Sequence, residues 1–292
     1  MDAPDLSNEP YAIAERISPL IRRVLARNAS PFSYTGTQTY IVGAGDVAVI
    51  DPGPLGDDPA HVGELVRILG DERIVAIMCT HTHRDHSPAA APLAEAKQAP
   101  IIGCAPLVLS DDGPRADAGF DPTYNPDGIL ADGEALTGPG WTLRAVATPG
   151  HTSNHLCFAL EEEKALFTGD HVMGWSTTVV SPPDGDMAAY MASLALLMER
   201  DDAVYYPAHG KPVDNPKRLV RGMMGHRKQR EGQILRLLGR GVGLIPPMVA
   251  EMYKGIDPRL HGAAGRSVLA HLIDLRDRGL VSECGDEWSL PG

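Results

Sequence analysis

The stretch 74-IVAIMCTHTHRDHS-87 decides how this chain reads. Ile74–Cys79 is a short, continuous apolar run of the kind that forms a strand buried on both faces. It runs straight into His81, His83, Asp85 and His86. His81 and His83 alternate along an extended loop, so both rings can face one ion. Asp85 and His86 follow closely enough to serve a neighbouring ion. Imidazole and carboxylate ligands suit Zn2+, with Mn2+ and Fe as competitors. The same arrangement recurs three times: LRAVATPG (143–150) leads to His151, ALFTG (165–169) to Asp170, and VYYPA (204–208) to His209. In open α/β sheets the ligand crevice lies at strand ends, so residues placed there can converge. Gly150, Gly169 and Gly210 flank the ligands and permit tight turns. One HxH pair is a weak signal; HxHxDH with three further strand-end ligands makes coincidence improbable.

Outward from this stretch, the pattern predicts strands at Thr39–Val42 and Val47–Asp51 and a helix over Pro59–Leu69. A helix is expected over Ala89–Lys97 and a strand over Ile101–Cys104. Between Asp111 and Glu134 there are seven carboxylates and one basic residue, Arg115, which reads as an irregular surface excursion. Trp141–Thr148 reads as a strand, and His155–Leu160 with Ala165–Thr168 as a hairpin. Met187–Met198 suits a buried helix, and Ala203–Tyr206 a short strand. Asn215 followed by Pro216 is a good N-cap and first-turn pair for a long helix ending near Leu238. The sequence GRGVG (239–243) breaks the chain into a body, 1–238, and a tail, 239–292. In the tail, Pro247–Lys254 and Ser267–Arg278 read as helices, and Val281–Cys284 with Trp288–Leu290 as a hairpin. Two helices and a hairpin suggest a winged helix.

The chain has 292 residues, of which 43% are apolar, so packed cores are expected. Cys79, Cys104, Cys157 and Cys284 form no CxxC pair and read as free thiols. The N-terminal MDAPDLSNEP lacks the basic start and apolar stretch of a secretory signal, and no apolar run is long enough for a membrane span. A cytoplasmic location with no membrane partner is therefore expected. Net charge is −12 and uneven: residues 221–292 hold 11 Lys and Arg against 8 Asp and Glu, while residues 1–220 hold 15 against 30. An acidic body repels polyanions at long range.

THTHRDH, TPGHT, TGDH and PAHG, with the opening GTQTYIVGAGDVAVIDPGP, resemble the signature motifs of the metallo-beta-lactamase superfamily over about residues 30–215. With the tail included, the chain most resembles the beta-lactamase-like protein 2 family, which joins that hydrolase domain to a winged helix. The resemblance implies an α/β, four-layer αββα sandwich and two Zn2+ ions. It implies that His81, His83 and His151 hold one ion, that Asp85, His86 and His209 hold the other, and that Asp170 bridges them. Asp51 would support the ligands from behind, and Asp85 with Asp170 would be the catalytic carboxylates. His171 and the run HSPAAAP depart from the common pattern, which bears on pocket shape rather than on the ligands.

The resemblance implies a hydrolase acting on a small ester, thioester, lactone or lactam. Two alternatives stand beside it: a single-stranded RNA endonuclease of the same family, and a mononuclear iron persulfide dioxygenase. The acidic body and an aromatic content of 5% argue against RNA. The tail carries Arg276 among Asp274 and Asp277, so packing or homodimerisation is expected of it rather than nucleic-acid binding. Trp175, Ser176 and Thr177 follow the Asp170 loop as candidate substrate-binding residues. His155 reads as half-buried; His61, His226, His261 and His271 read as solvent-facing or packed. Arg227, Lys228 and Arg230 read as a solvated helix face.

Overall fold

Two five-stranded sheets lie face to face in this computed structural model, which describes residues 6–109, 119–257 and 260–291. The first sheet runs in chain order through β1 (Glu15–Arg16), β2 (Ile21–Leu25), β3 (Gln38–Ala44), β4 (Asp46–Ile50) and β5 (Arg73–Met78). Its pairs are antiparallel except β4 with β5, which α1 (His61–Leu69) joins as a parallel crossover. Beyond β5 come α2 (Ala90–Lys97) and a short parallel pair, β6 (Ile102–Gly103) with β7 (Gly128–Ile129). The second sheet holds β8 (Ala135–Gly138), β9 (Trp141–Ala147), β10 (Leu156–Leu160), β11 (Ala165–Gly169) and β12 (Val204–Pro207), in the spatial order β12-β11-β10-β9-β8. Between β11 and β12 runs α3 (Met187–Glu199).

The two-residue period of the second sheet divides its side chains between two cores. Trp141, Leu143, Phe158 and Phe167 face the first sheet, where Phe167 meets Tyr40 with ring centroids 5.0 Å apart. Val146, Cys157, Leu166 and Tyr205 face the other way, onto Tyr190, Leu194 and Leu197 of α3. Leu65 and Leu69 of α1 and Leu93 of α2 cover the outer face of the first sheet. The layers are therefore helix, sheet, sheet, helix, the expected αββα sandwich.

The long helix α4 (Pro216–Leu238) begins as its cap predicts, with the Asn215 side chain accepting from the Arg218 N–H. Its first half gives Val220 and Met223 to the body. Its last turns give Ile234, Leu237 and Leu238 to a third core, shared with α5 (Ile245–Met252), α6 (His261–Asp277) and the hairpin β13 (Ser282–Cys284) and β14 (Glu287–Ser289). Helix α6 starts at His261 rather than Ser267. Gly262 and Gly265 hide that start in the sequence, but Gly265 packs closely on Ile245 and Val249.

Other expectations shift for identifiable reasons. Strand β2 escapes a reading by apolar pattern because Arg22 and Arg23 interrupt it; both are paired, with Glu72 and Glu15. The expected strand Ile101–Cys104 shrinks to two residues. The acidic excursion is partly core: Tyr124 and Leu130 are buried in the main cluster. Its Asp111, Asp112, Arg115 and Asp117 lie outside the described residues. Cys79, Cys104 and Cys157 are buried free thiols, and Cys284 is an exposed one.

The α3 seam provides a direct check on this packing. Leu194 is 0% exposed and Leu196 is 41% exposed. Leu194→Ala should lower unfolding free energy by about 2–5 kcal/mol, and Leu196→Ala by less than about 0.5 kcal/mol, as read from urea unfolding midpoints. Equal losses at the two positions would contradict the layer assignment.

Candidate metal centre

The strand ends of both sheets deliver the predicted side chains to one point. The β5 strand releases His81, His83, Asp85 and His86; β9, β11 and β12 are followed by His151, Asp170 and His209. The turns that do this are tight. Gly150 has φ +136°, and a Cβ there would lie 2.3 Å from Tyr190 Cα. At Gly169 (φ +48°) a Cβ would strike Thr80 and His155.

Hydrogen bonds behind the rings fix which nitrogen of each faces inward. Thr80 Oγ1 donates to Asp51 Oδ2 at 2.8 Å and so accepts from His81 Nδ1 at 3.0 Å. His151 Nδ1 donates to the Val179 carbonyl at 2.7 Å. The remaining nitrogens, His81 Nε2 and His151 Nε2, are lone pairs, and they sit 3.0 and 3.1 Å from His83 Nδ1. One ring nitrogen carries at most one proton, so no more than one of those two contacts can be a hydrogen bond. His86 Nδ1 donates to Asp51 Oδ2 at 3.0 Å, and His209 Nδ1 donates to the Gly36 carbonyl at 3.2 Å. Their Nε2 atoms face carboxylates: His209 Nε2 lies 3.2 Å from Asp85 Oδ2 and 3.3 Å from Asp170 Oδ1, and His86 Nε2 lies 3.5 Å from Asp85 Oδ2. Asp170 reaches both groups, with Oδ2 3.7 Å from His151 Nε2 and Oδ1 3.7 Å from His86 Nε2.

Acceptors thus face acceptors in a buried place, which costs free energy unless positive charge lies between them. His86 Nε2 and Asp170 Oδ1 are buried without a hydrogen-bond partner. Protons answer part of the demand. Burial opposes charging His209, yet Asp170 and Asp85 outweigh it and push its pKa up to about 10. Burial likewise favours a neutral Asp170, but His209 and His86 hold it well below the usual carboxylate range. At His81, burial and the neighbouring rings keep the imidazole neutral, so protonation gives no relief there. Three groups of ligand atoms lie within 4.8 Å of one another: His81–His83–His151, His81–His86–Asp170 and Asp85–His86–His209. These residues fit metal ions in donor type and spacing.

A fourth group, Asp58–His61–Glu64, meets the same distance criterion. Here Arg27 already supplies the positive charge, 2.6 Å from Glu64 Oε1 and 4.0 Å from Asp58 Oδ2. His61 is packed rather than solvent-facing and lies 3.0 Å from Thr39 Oγ1.

Several positions differ from expectation. A small cavity against the cluster is walled by Phe32, Met173 and Val179, and Trp175, Ser176 and Thr177 lie outside that lining. The reason is Gly174, whose N–H bonds the His209 carbonyl at 3.0 Å and which presses on the Lys211 backbone. The chain turns there and lays Trp175 on Tyr34, with ring centroids 5.0 Å apart. His155 is fully buried, not half-buried; Thr148 Oγ1 lies 2.9 Å from its Nδ1, and its Nε2 accepts from the Asp170 N–H at 3.3 Å. His271 is buried, the packed alternative of its reading, and His171 is buried too, as a structural residue would be. Arg227 is buried rather than solvated, and it donates to the Thr178 carbonyl. Arg230 is half-buried over Tyr253, and Lys228 is exposed as expected.

Asp51 sits behind His86 and Thr80, on the side away from the cluster. It accepts from Thr80 N at 2.7 Å, Thr80 Oγ1 and His86 Nδ1, on a backbone with φ +48°. Asp51→Asn keeps a residue that tolerates this conformation but weakens the bond to His86. Zinc affinity should fall by about 10–100-fold in a chelator competition. Unchanged affinity would remove Asp51 from any role in orienting His86.

Residues 34–209 match the Metallo-beta-lactamase superfamily, and residues 245–288 match the Beta-lactamase associated winged helix domain. A Lactamase-like protein ptaB from Pestalotiopsis fici is 30% identical, over 90% of this chain and 82% of that protein. An Atrochrysone carboxyl ACP thioesterase from Aspergillus chevalieri is 35% identical, over 78% of this chain and 69% of its own length. Among solved structures, a Beta-lactamase domain protein from Burkholderia ambifaria superposes with a TM-score of 0.78 at 20% identity, covering 97% of this chain and 94% of that one. The chain belongs to the metallo-beta-lactamase superfamily, as a hydrolase domain followed by the winged helix associated with it.

Proposed function

We propose that this chain hydrolyses an acyl thioester, using a pair of metal ions, one on His81, His83 and His151, the other on Asp85, His86 and His209, with Asp170 between them. The observation that carries this reading is the buried convergence of imidazole lone pairs and carboxylates, for which neighbouring ions are the simplest complement. When bound, such a pair polarises a carbonyl oxygen and supplies a deprotonated water near neutral pH.

The chain's own residues do the rest. The bonds to Asp51, Val179 and Gly36 hold the rings in one tautomer, so the site needs no rearrangement before reaction. Asp85 keeps part of its carboxylate accessible beside His209, and it is the group placed to take up and return a proton. Phe32, Met173 and Val179 give the cavity an apolar wall that suits an acyl group and keeps bulk water away. A neighbouring cavity reaches from His83 and His151 to Pro183 and Asp184, and a groove of about 480 Å3 shares those last two residues. That groove offers room for the longer arm of the thiol portion. Among the described residues, neither cavity beside the ligands is lined by Lys or Arg, which favours an uncharged acyl substrate over RNA. The relatives named as acyl-carrier thioesterases support the same substrate class.

Hydrolysis of acyl-pantetheine thioesters, followed by thiol release, tests the proposal. Wild-type protein should turn them over and lose that activity to a chelator. Asp170→Ala should lower kcat by about 100-fold or more, because the group joining the two ion sites is gone. Full activity in Asp170→Ala, or thioester turnover that no chelator affects, would contradict the assignment.

A further inference from the structure

Two arginines from the C-terminal third of the chain grip one loop of the hydrolase body. Arg227, on α4, donates to the Thr178 carbonyl, and Arg266, on α6, donates to the Pro182 carbonyl. The loop between them touches two of the proposed ligands. Thr178 Oγ1 donates toward the Asp170 carbonyl at 2.8 Å, and the Val179 carbonyl accepts His151 Nδ1 at 2.7 Å. Resting on the metal reading above, we propose that Arg227 and Arg266 are positioning residues through which the winged-helix tail and its connecting helix fix His151 and Asp170.

The setting of Arg227 suits that role. It is 4% exposed, and its guanidinium lies over the Tyr190 ring at 5.1 Å. Tyr190 in turn donates to the His171 carbonyl at 3.1 Å, one residue beyond Asp170. A buried guanidinium is costly unless its donors are used and its charge is compensated. The Thr178 carbonyl and the Tyr190 ring face supply that compensation here, and a fork of fixed donors holds an acceptor in place more firmly than an ammonium can. Losing Arg227 leaves the Thr178 carbonyl without that donor, and the loop is free to shift. His151 and Asp170 are the ligands that shift with it, because their bonds run to Val179 and Thr178. Arg266 acts further along the loop, so its effect should be smaller. The tail is then a brace for the metal centre, which gives it a use that needs no nucleic acid.

The test is zinc affinity of the full chain by chelator competition, read beside urea unfolding and steady-state kinetics on a thioester. Arg227→Met should bind zinc about 10–100-fold more weakly, the range for ligands that lose an orienting partner, with lower kcat and little change in KM. Arg227→Lys should recover part of the affinity, and Arg266→Met should lose only several-fold. Arg227→Met with wild-type zinc affinity, or with a loss that merely tracks its unfolded fraction, overturns the proposal. Should Arg227→Met fail to fold, Thr178→Val decides. It removes the hydroxyl bond toward Asp170 and should also weaken zinc, and wild-type affinity there overturns the proposal. A wild-type chain that binds no zinc, or an Asp170→Ala variant that binds it normally, overturns the metal reading itself and this inference with it.

Discussion

Buried acceptors that face one another are the constraint on which this structure turns. His81, His151, His86 and His209 each spend one ring N–H on a group behind them, and so each turns its other nitrogen to the centre. Asp85 and Asp170 add negative charge at the same point. In a low-dielectric interior such an arrangement is stable only with positive charge among the donors. Protonation of His209 supplies some of it, whereas burial and the neighbouring rings hold His81 neutral. The site is therefore organised for cations, and the surrounding fold is organised to keep these side chains from separating.

How the fold achieves this follows from its two sheets. Their facing cores, built on Tyr40, Phe158 and Phe167, lock the strands that end at the ligands. The loops leaving those strands cross between sheets. The Gln38 N–H bonds the Ala208 carbonyl at 2.9 Å, and the Leu156 N–H bonds the Thr80 carbonyl at 2.8 Å. The loops that carry His81 and His209 are thus tied to the opposite sheet by backbone hydrogen bonds, and a displacement in one sheet is felt in the other. The same logic extends to α4, which contributes side chains to the body's core and to the tail's and carries Arg227 between them.

Much of the centre could be read from the sequence because the information is local. An apolar strand followed at once by HxHxDH specifies position and chemistry within 13 residues, from Ile74 to His86, and the three single ligands repeat the strand-then-ligand pattern. The four layers follow from the resemblance of the motifs rather than from alternation, because β10 and β11 are buried throughout and their sequences do not tell one face from the other. What escaped depends on partners distant in the chain. His155 lies only four residues beyond His151, yet its use comes from Asp170 and Thr148. Arg227 was read as solvated although it falls on the stripe Val220, Met223, Ile234 that faces inward, and an arginine on such a stripe is the signal that was passed over. The contact of Trp175 is equally non-local: the turn at Gly174 lays it on Tyr34, far from it in the chain.

The central claim is that this cluster holds two ions at once. Metal content by mass spectrometry, on full-length protein purified without added metal, addresses it most directly. The account predicts about two zinc or manganese ions per chain. A single iron per chain would contradict it and turn the reading toward oxidation chemistry.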